Sequence, residues 1–271
     1  MKPRVTLATA HTPSGGEMVL YRHDVDFSIT VDGQNLMHSR QNESELELAR
    51  LGCAHLVGRP TPSILIGGLG MGYTLRQALD MLTPGARVVV GELLSVVVEW
   101  NREFLGVLNG RPLDDDRVKI ETGDIVDLIS RSIGRYDAIL LDIDNGPRAL
   151  TDPRNHRLYR HEGIGACRRA LRKQGCLAVW SAGASKKFEQ LLVLNHFHVR
   201  RFRVPADKGG KSQSRFVWTA SEDKNILPRG GGEPRLHNKD RSKKGRKRIG
   251  RKRSSQAPGF GEQGIKFNLE K

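Results

Sequence analysis

The sequence predicts an α/β chain: a doubly wound, mostly parallel sheet, preceded by a small antiparallel β region and followed by a disordered basic tail. Three observations carry this. Short apolar runs rich in β-branched residues alternate with helical segments from residue 63 to 220, the pattern of strands joined by crossover helices. Four glycines, Gly67, Gly68, Gly70 and Gly72, crowd between the first of these strands and its helix. Charge is segregated: residues 224–271 hold 15 Lys/Arg against 4 Asp/Glu, and the other residues hold 30 against 26. The boundaries follow as 1–43 for the β region, 44–223 for a nucleoside-binding domain and 224–271 for the tail.

Taken in order, residues 1–16 read as an irregular lead-in. Met18–Arg22 and Val25–Val31 alternate as strands do, Asp32-Gly33 is a turn signal, and Leu36–His38 makes a third short strand. Ser44–Val57 reads as a helix with Leu46, Ala49, Leu51, Ala54 and Leu56 inward and Asn42 or Ser44 as cap. Pro60 and Pro62 end it. Ile64-Leu65-Ile66 is a buried strand, Thr74–Leu82 a helix, and Arg87–Glu92 a second strand. Helix over Ser95–Leu108, strand over Val118–Glu121, helix over Ile125–Ser132 and strand over Tyr136–Leu141 continue the alternation. A helix over Leu158–Leu171, a strand over Cys176–Trp180 and a helix over Lys186–Asn195 follow. Phe197–Val204 and Ser214–Ala220 close the sheet.

In such sheets ligands bind beyond the carboxyl ends of the strands. That rule selects the glycine turn, Glu92, Asp124 and the Asp142–Asp144 segment. Glycines there permit positive φ and close approach of a ligand to the backbone. A carboxylate at the end of the next strand, as at Glu92, can accept hydrogen bonds from both ribose hydroxyls. Asp124 reads first as a ligand group, with a helix N-cap as the plainer alternative, and Asp144, in a turn with Asn145, Gly146 and Pro147, reads equally as ordinary loop chemistry.

Composition excludes several classes. Cys53, Cys167 and Cys176 form no Cys-x-x-Cys pair, which points to free thiols in a reducing cytoplasm and to no metal site. The nine histidines show no metal-like spacing. No run approaches the roughly 20 apolar residues a bilayer-spanning helix needs, and the N-terminus lacks the apolar core of a secretory signal. From Lys239 to Arg253, ten of fifteen residues are basic, so 239–253 is a candidate for non-specific, salt-sensitive contact with nucleic acid.

Ile64 to Arg76, Ile-Leu-Ile-Gly-Gly-Leu-Gly-Met-Gly-Tyr-Thr-Leu-Arg, resembles the strand, glycine turn and Thr-Leu-Arg of the polyamine aminopropyltransferases, the spermidine synthases. These use the Rossmann-like fold of class I S-adenosylmethionine-dependent methyltransferases. The resemblance runs from about Val25 to Ala220. It implies that Gly67, Gly68, Gly70, Gly72, Glu92 and Asp124 bind S-adenosylmethionine or its decarboxylated form as co-substrate, with no metal. Asp142 stands where the family begins Asp-Ser-Ser-Asp-Pro, but the run here is Asp142-Ile143-Asp144-Asn145-Gly146-Pro147, so the second acid is shifted to Asp144 or replaced. The family's Tyr-(Gln/His)-Glu triplet, which holds the amine, is Glu45-Leu46-Glu47 here, without tyrosine. Leu158-Tyr159 resembles the family's next helix, and Glu45, Glu47 and Tyr159 are the candidate amine contacts.

Transfer of an alkyl group from a sulfonium to an amine needs the amine's lone pair. A carboxylate that accepts the ammonium proton serves it, and Asp142, then Asp144, are the candidates. Three function classes stand at this point: aminopropyl transfer to a small amine, methyl transfer from S-adenosylmethionine to another acceptor, and nucleic-acid binding without catalysis. A second copy of the chain, in a homodimer, is a further candidate partner.

Overall fold

The computed structural model describes residues 3–143, 157–209 and 214–234. The first sheet is an antiparallel meander of β1 (Val5–His11), β2 (Glu17–His23), β3 (Asp26–Val31) and β4 (Gln34–His38). Asp32 and Gly33 both have positive φ, 48° and 75°, the twist that a two-residue hairpin loop requires. The presence of β1 corrects the irregular lead-in expected for residues 1–16. Its Thr and Ala residues bury little, so it lacks a strong apolar signal, yet it pairs along β2 from Val5 to His11.

The second sheet has seven strands in the order β10-β11-β9-β8-β5-β6-β7. These are β5 (Ser63–Gly67), β6 (Arg87–Glu92), β7 (Val118–Thr122), β8 (Tyr136–Leu141), β9 (Leu171–Ser181), β10 (His198–Val204) and β11 (Arg215–Ser221). Pairings from β9 to β7 are parallel, and β11 joins β9 antiparallel and carries β10. The helices are α1 (Glu43–Cys53), α2 (Tyr73–Met81), α3 (Ser95–Glu103), α4 (Ile125–Ser130), α5 (His161–Ala170) and α6 (Lys186–Leu194). The chain moves outward from β5 to β6 and β7, then returns to place β8 on the other side of β5. Strand order therefore reverses between β5 and β8, which opens a crevice at their carboxyl ends.

Strand residues alternate between two cores because successive side chains point to opposite faces. Ile64, Ile66, Val88, Val90, Ala138 and Leu140 face one core with α1, α2 and residues of the N-terminal sheet. Leu65, Val89, Ile139, Leu141 and Trp218 face the other, with α4, α5 and α6. The inner face of α1 is Ser44, Leu48, Ala49, Gly52 and Cys53, which shifts the expected stripe of Leu46, Ala49 and Leu51. Gly52 explains the shift: a Cβ there would lie 2.2 Å from Leu140 Cδ2 and 2.9 Å from Ala178 Cβ. Glycine lets the helix backbone sit directly on the sheet, and the longer leucines take the flanks.

The three cysteines are buried and unpaired, and burial pushes each thiol up to about 12. Residues 224–234, assigned above to the tail, follow β11 through a short 3-10 turn at Lys224–Ile226. Gly232 then pairs with Arg201 of β10, so the body extends past residue 223. Asp144 and the basic run 239–253 lie outside the described residues. Among the described residues no helix is long and apolar enough to cross a membrane.

Candidate active site

Two cavities lie at the carboxyl ends of β5, β6 and β8, and they share a wall. The larger, about 400 Å³, is lined by Gly68, Gly70, Glu92, Asp124 and Asp142, and by Thr12–Ser14 of the first hairpin. The smaller, about 110 Å³, is lined by Glu45, Tyr73, Trp180, Arg215 and Asp142 among others. Gly70, Leu36, Met37 and Asp142 border both.

The glycine turn runs from β5 into α2. Gly68, Gly70 and Gly72 have φ of 86°, 54° and 84°, conformations a Cβ disfavours. Gly68 has a second reason: its Cβ would stand 2.4 Å from the Asp142 carbonyl oxygen. The amide of Asp142 donates to the Gly67 carbonyl at 2.9 Å, so turn and acid are fixed to each other by backbone. Asn101 donates to the Gly70 carbonyl at 2.8 Å, and Asn109 to that of Met71 at 2.9 Å. Both asparagines come from the α3 region and hold the turn's outward carbonyls.

Glu92 ends β6, buried, under this turn. Its Oε2 accepts the Leu69 amide at 2.8 Å and its Oε1 the Leu94 amide at 2.9 Å. The same side chain lines the larger cavity. Asp124 does two jobs that its sequence context left open. Its side chain caps α4 by accepting the Val126 amide at 2.8 Å, and it lines the cavity. Its second oxygen pairs with Arg157 at 2.7 Å.

Two carboxyls meet in the smaller cavity. Burial, and then the charge of Asp142, push Glu45 up to about 8. Burial pushes Asp142 up to about 6, opposed by a 2.8 Å hydrogen bond from the Thr74 hydroxyl. Near neutral pH, Asp142 is the better ionised of the two. The structure does not bring the other expected amine contacts here. Glu47 pairs with Arg50 at 2.6 Å and lines neither cavity. Tyr159 packs edge-on against Phe188, 5.7 Å between ring centres, in the core on the opposite face of the sheet.

A tyrosine does reach the small cavity, from another element. Tyr73, at the first position of α2, lines it and donates to the Ser39 carbonyl at 3.1 Å. Trp180 and Arg215 were also missed. The strand-end rule reaches both: Trp180 is the last residue but one of β9, and Arg215 opens the antiparallel β11, whose start lies beside the parallel strands' carboxyl ends. Among the described residues no cluster of His, Cys, Asp and Glu is arranged to hold a metal.

No family model matches the chain. A polyamine aminopropyltransferase from Korarchaeum cryptofilum is 31% identical over 126 residues, 46% of this chain and 36% of that protein. Another, from Saccharolobus solfataricus, is 28% identical over 135 residues, 48% of this chain and 42% of that protein. The matches thus span about two fifths of these relatives' own length. In fold, spermidine synthase from Thermotoga maritima aligns with a TM-score of 0.65 at 17% identity, covering 86% of this chain and 81% of the other. A spermidine synthase in complex with the transition state analogue AdoDATO aligns with a TM-score of 0.66 at 16% identity, covering 86% and 80%. In sequence over nearly half its length and in fold over most of it, the chain is similar to the spermidine synthases, the polyamine aminopropyltransferases, on a Rossmann-like methyltransferase fold.

Proposed function

We propose that the chain transfers an aminopropyl group from decarboxylated S-adenosylmethionine to an amine. The observation that carries this is the pair of cavities meeting at Gly70 and Asp142. An in-line displacement needs two substrates held on either side of one reacting carbon, and a shared wall between two subsites provides that arrangement. The larger cavity takes the nucleoside, with Glu92 on the ribose hydroxyls and Asp124 on the base side. The smaller takes the amine.

In this reading the amine nitrogen attacks the propyl carbon beside the sulfonium. The new N–C bond forms as the C–S bond breaks, and sulfur leaves with the electron pair as neutral methylthioadenosine. Asp142 accepts the ammonium proton; a carboxyl whose pKa lies near 6 is a stronger base than an ordinary one and is still ionised at neutral pH. Glu45 adds a second carboxyl that an incoming ammonium draws into its charged form. Asp144 is a further candidate for this role, outside the described residues.

The relatives' names support aminopropyl transfer and lend nothing to the methyltransferase alternative. The test is release of methylthioadenosine, followed by chromatography, with decarboxylated S-adenosylmethionine and a panel of amines. We expect Asp142→Asn to lower the rate by about 10²-fold or more, the scale of a general base. Binding of intact S-adenosylmethionine in preference to the decarboxylated form would overturn the proposal. Contact of 239–253 with nucleic acid is a separate proposal. Its mark is an affinity that falls steeply with salt and is lost on truncation after residue 234.

A further inference from the structure

A third cavity, about 530 Å³, is lined by His161, Arg168, Arg169, Leu194, His196 and Glu222 among others. It shares no lining residue with the two cavities of the transfer site. Its walls are α5 and the end of α6. His196 precedes β10 and Glu222 follows β11, and Ser221 at the end of β11 donates to the Gly175 carbonyl in the first half of β9. The groove therefore lies toward the amino ends of the parallel strands, away from the crevice.

It holds two guanidiniums and one carboxylate. Glu222 Oε1 takes Nε and Nη2 of Arg168, at 2.7 and 2.6 Å, which leaves that side chain its Nη1 donors. Arg169 is exposed, with no carboxylate partner among the described residues. Buried Asn195 donates from Nδ2 to the Leu191 carbonyl at 2.9 Å and to His161 Nδ1 at 3.2 Å. Since Nδ1 accepts, the His161 ring donates from Nε2. His196 has φ of 65°, in the left-handed position after a helix that glycine usually takes. Leu194 beside it is 68% exposed.

This combination fits a nucleotide better than a bare anion. Guanidinium donors match phosphate oxygens. Imidazole rings and guanidinium planes stack on unpaired bases, and an exposed leucine offers apolar contact to a base or sugar. A free phosphate would use the guanidiniums alone, and an acidic peptide has no base to stack. A net charge of +15 draws polyanions to the chain as a whole.

We infer that the groove between α5 and the end of α6 seats one phosphate and an adjoining base of a single-stranded nucleic acid. Arg169 and the Nη1 donors of Arg168 take the phosphate, and the His161 and His196 rings with Leu194 take the base. The site depends neither on aminopropyl transfer nor on the basic run 239–253.

The test is fluorescence anisotropy of the full chain with a short mixed-sequence single-stranded RNA over a salt series. Arg169→Gln should weaken binding by about threefold to tenfold and lower the slope of log affinity against log salt by about one, because one phosphate contact is gone. Gly165→Glu is the second variant. A Cβ at Gly165 meets Asn195 Oδ1 at 3.6 Å and Arg169 Nη1 at 3.7 Å, ordinary contact distances, so the helix accepts it while a carboxylate enters the groove. It should weaken RNA at least as much, and both variants should melt no lower than the parent. Affinity and slope unchanged in both variants overturn the inference; loss of binding on truncation after residue 234 would then assign the RNA to the tail. Inorganic phosphate that binds calorimetrically and is lost in both variants, with RNA binding unchanged, marks a seat for the free ion and overturns the inference. Poly-glutamate bound as tightly as RNA, and lost in both variants, marks an acidic protein partner and overturns it as well.

Discussion

The Thr74 hydroxyl donates to Asp142 Oδ2 at 2.8 Å, linking the first turn of α2 to the acid that directly follows β8. The bond spans the point where strand order reverses, and it acts on chemistry as well as on packing. A hydrogen bond to the ionised form lowers a carboxyl's pKa. Here it opposes the burial that pushes Asp142 up to about 6. Thr74→Val keeps the shape and removes the donor, so Asp142 should titrate higher. If ionised Asp142 is the base, the acidic limb of the pH–rate profile moves to higher pH, and the rate at pH 7 falls by roughly threefold to tenfold. An unmoved limb would detach Asp142 from the proton transfer.

Glu92 joins the glycine turn to the wall of the larger cavity. Glu92→Gln turns one of its two oxygens into an NH₂ group, which cannot accept from either the Leu69 or the Leu94 amide. One buried amide loses its partner, a cost of about 1–3 kcal/mol. We expect a lower melting temperature and a loss of methylthioadenosine affinity of about tenfold or more, measured calorimetrically. Affinity within twofold of the parent would show that the nucleoside is held elsewhere.

Gly68→Ala combines two penalties. The residue has φ of 86°, and its Cβ would meet the Asp142 carbonyl at 2.4 Å, a backbone atom with no rotamer to yield. Gly123→Ala is the control, strained by its φ of 142° but with open space around the Cβ. The first should destabilise by about 3 kcal/mol or more and abolish nucleoside binding; the second should cost about 1–2 kcal/mol. Equal effects in denaturant melts would mean that the close approach of turn and acid is not maintained in solution.

The features the sequence made legible are those that repeat a physical pattern over several residues. Ile64-Leu65-Ile66 and Tyr136–Leu141 are strands buried on both faces, and each emerged as a continuous apolar run. Gly68 to Gly72 concentrates positive φ in one place, and Glu92 follows at the distance of one strand–helix–strand unit. What was hidden depends on contacts between distant segments. β1 is held by pairing with β2 rather than by its own apolarity. α1 turned its glycine side inward because Leu140 and Ala178 leave no room for a Cβ. The family resemblance looks for a tyrosine beside Glu45, whereas the tyrosine that lines the smaller cavity is Tyr73, from α2. Arg215 was passed over because a charged residue opening an antiparallel strand looks like an ordinary solvent-facing end until β9 places it over the cavity.

Glu45 makes the cavity's electrostatics measurable without any substrate. Its pKa rises from 4.5 in the unfolded chain to about 8 in the folded one. Between those values the native state keeps a proton that the unfolded chain has released, so stability falls as pH rises through this window and is fully present below it. Asp142 acts in the same direction between 3.8 and about 6. Glu45→Gln removes the Glu45 contribution by fixing a neutral side chain of the same shape. The parent should therefore lose melting temperature relative to the variant between about pH 5 and pH 8, by several degrees, and the two curves should run parallel above that. Curves parallel throughout would mean that Glu45 is solvated and ionises as an exposed acid does. Saturating amine should reverse the trend, because an ammonium bound against Glu45 stabilises its carboxylate and brings its folded pKa back toward 4.5. The pH dependence of stability, measured with and without acceptor, then reports directly whether the amine sits on Glu45.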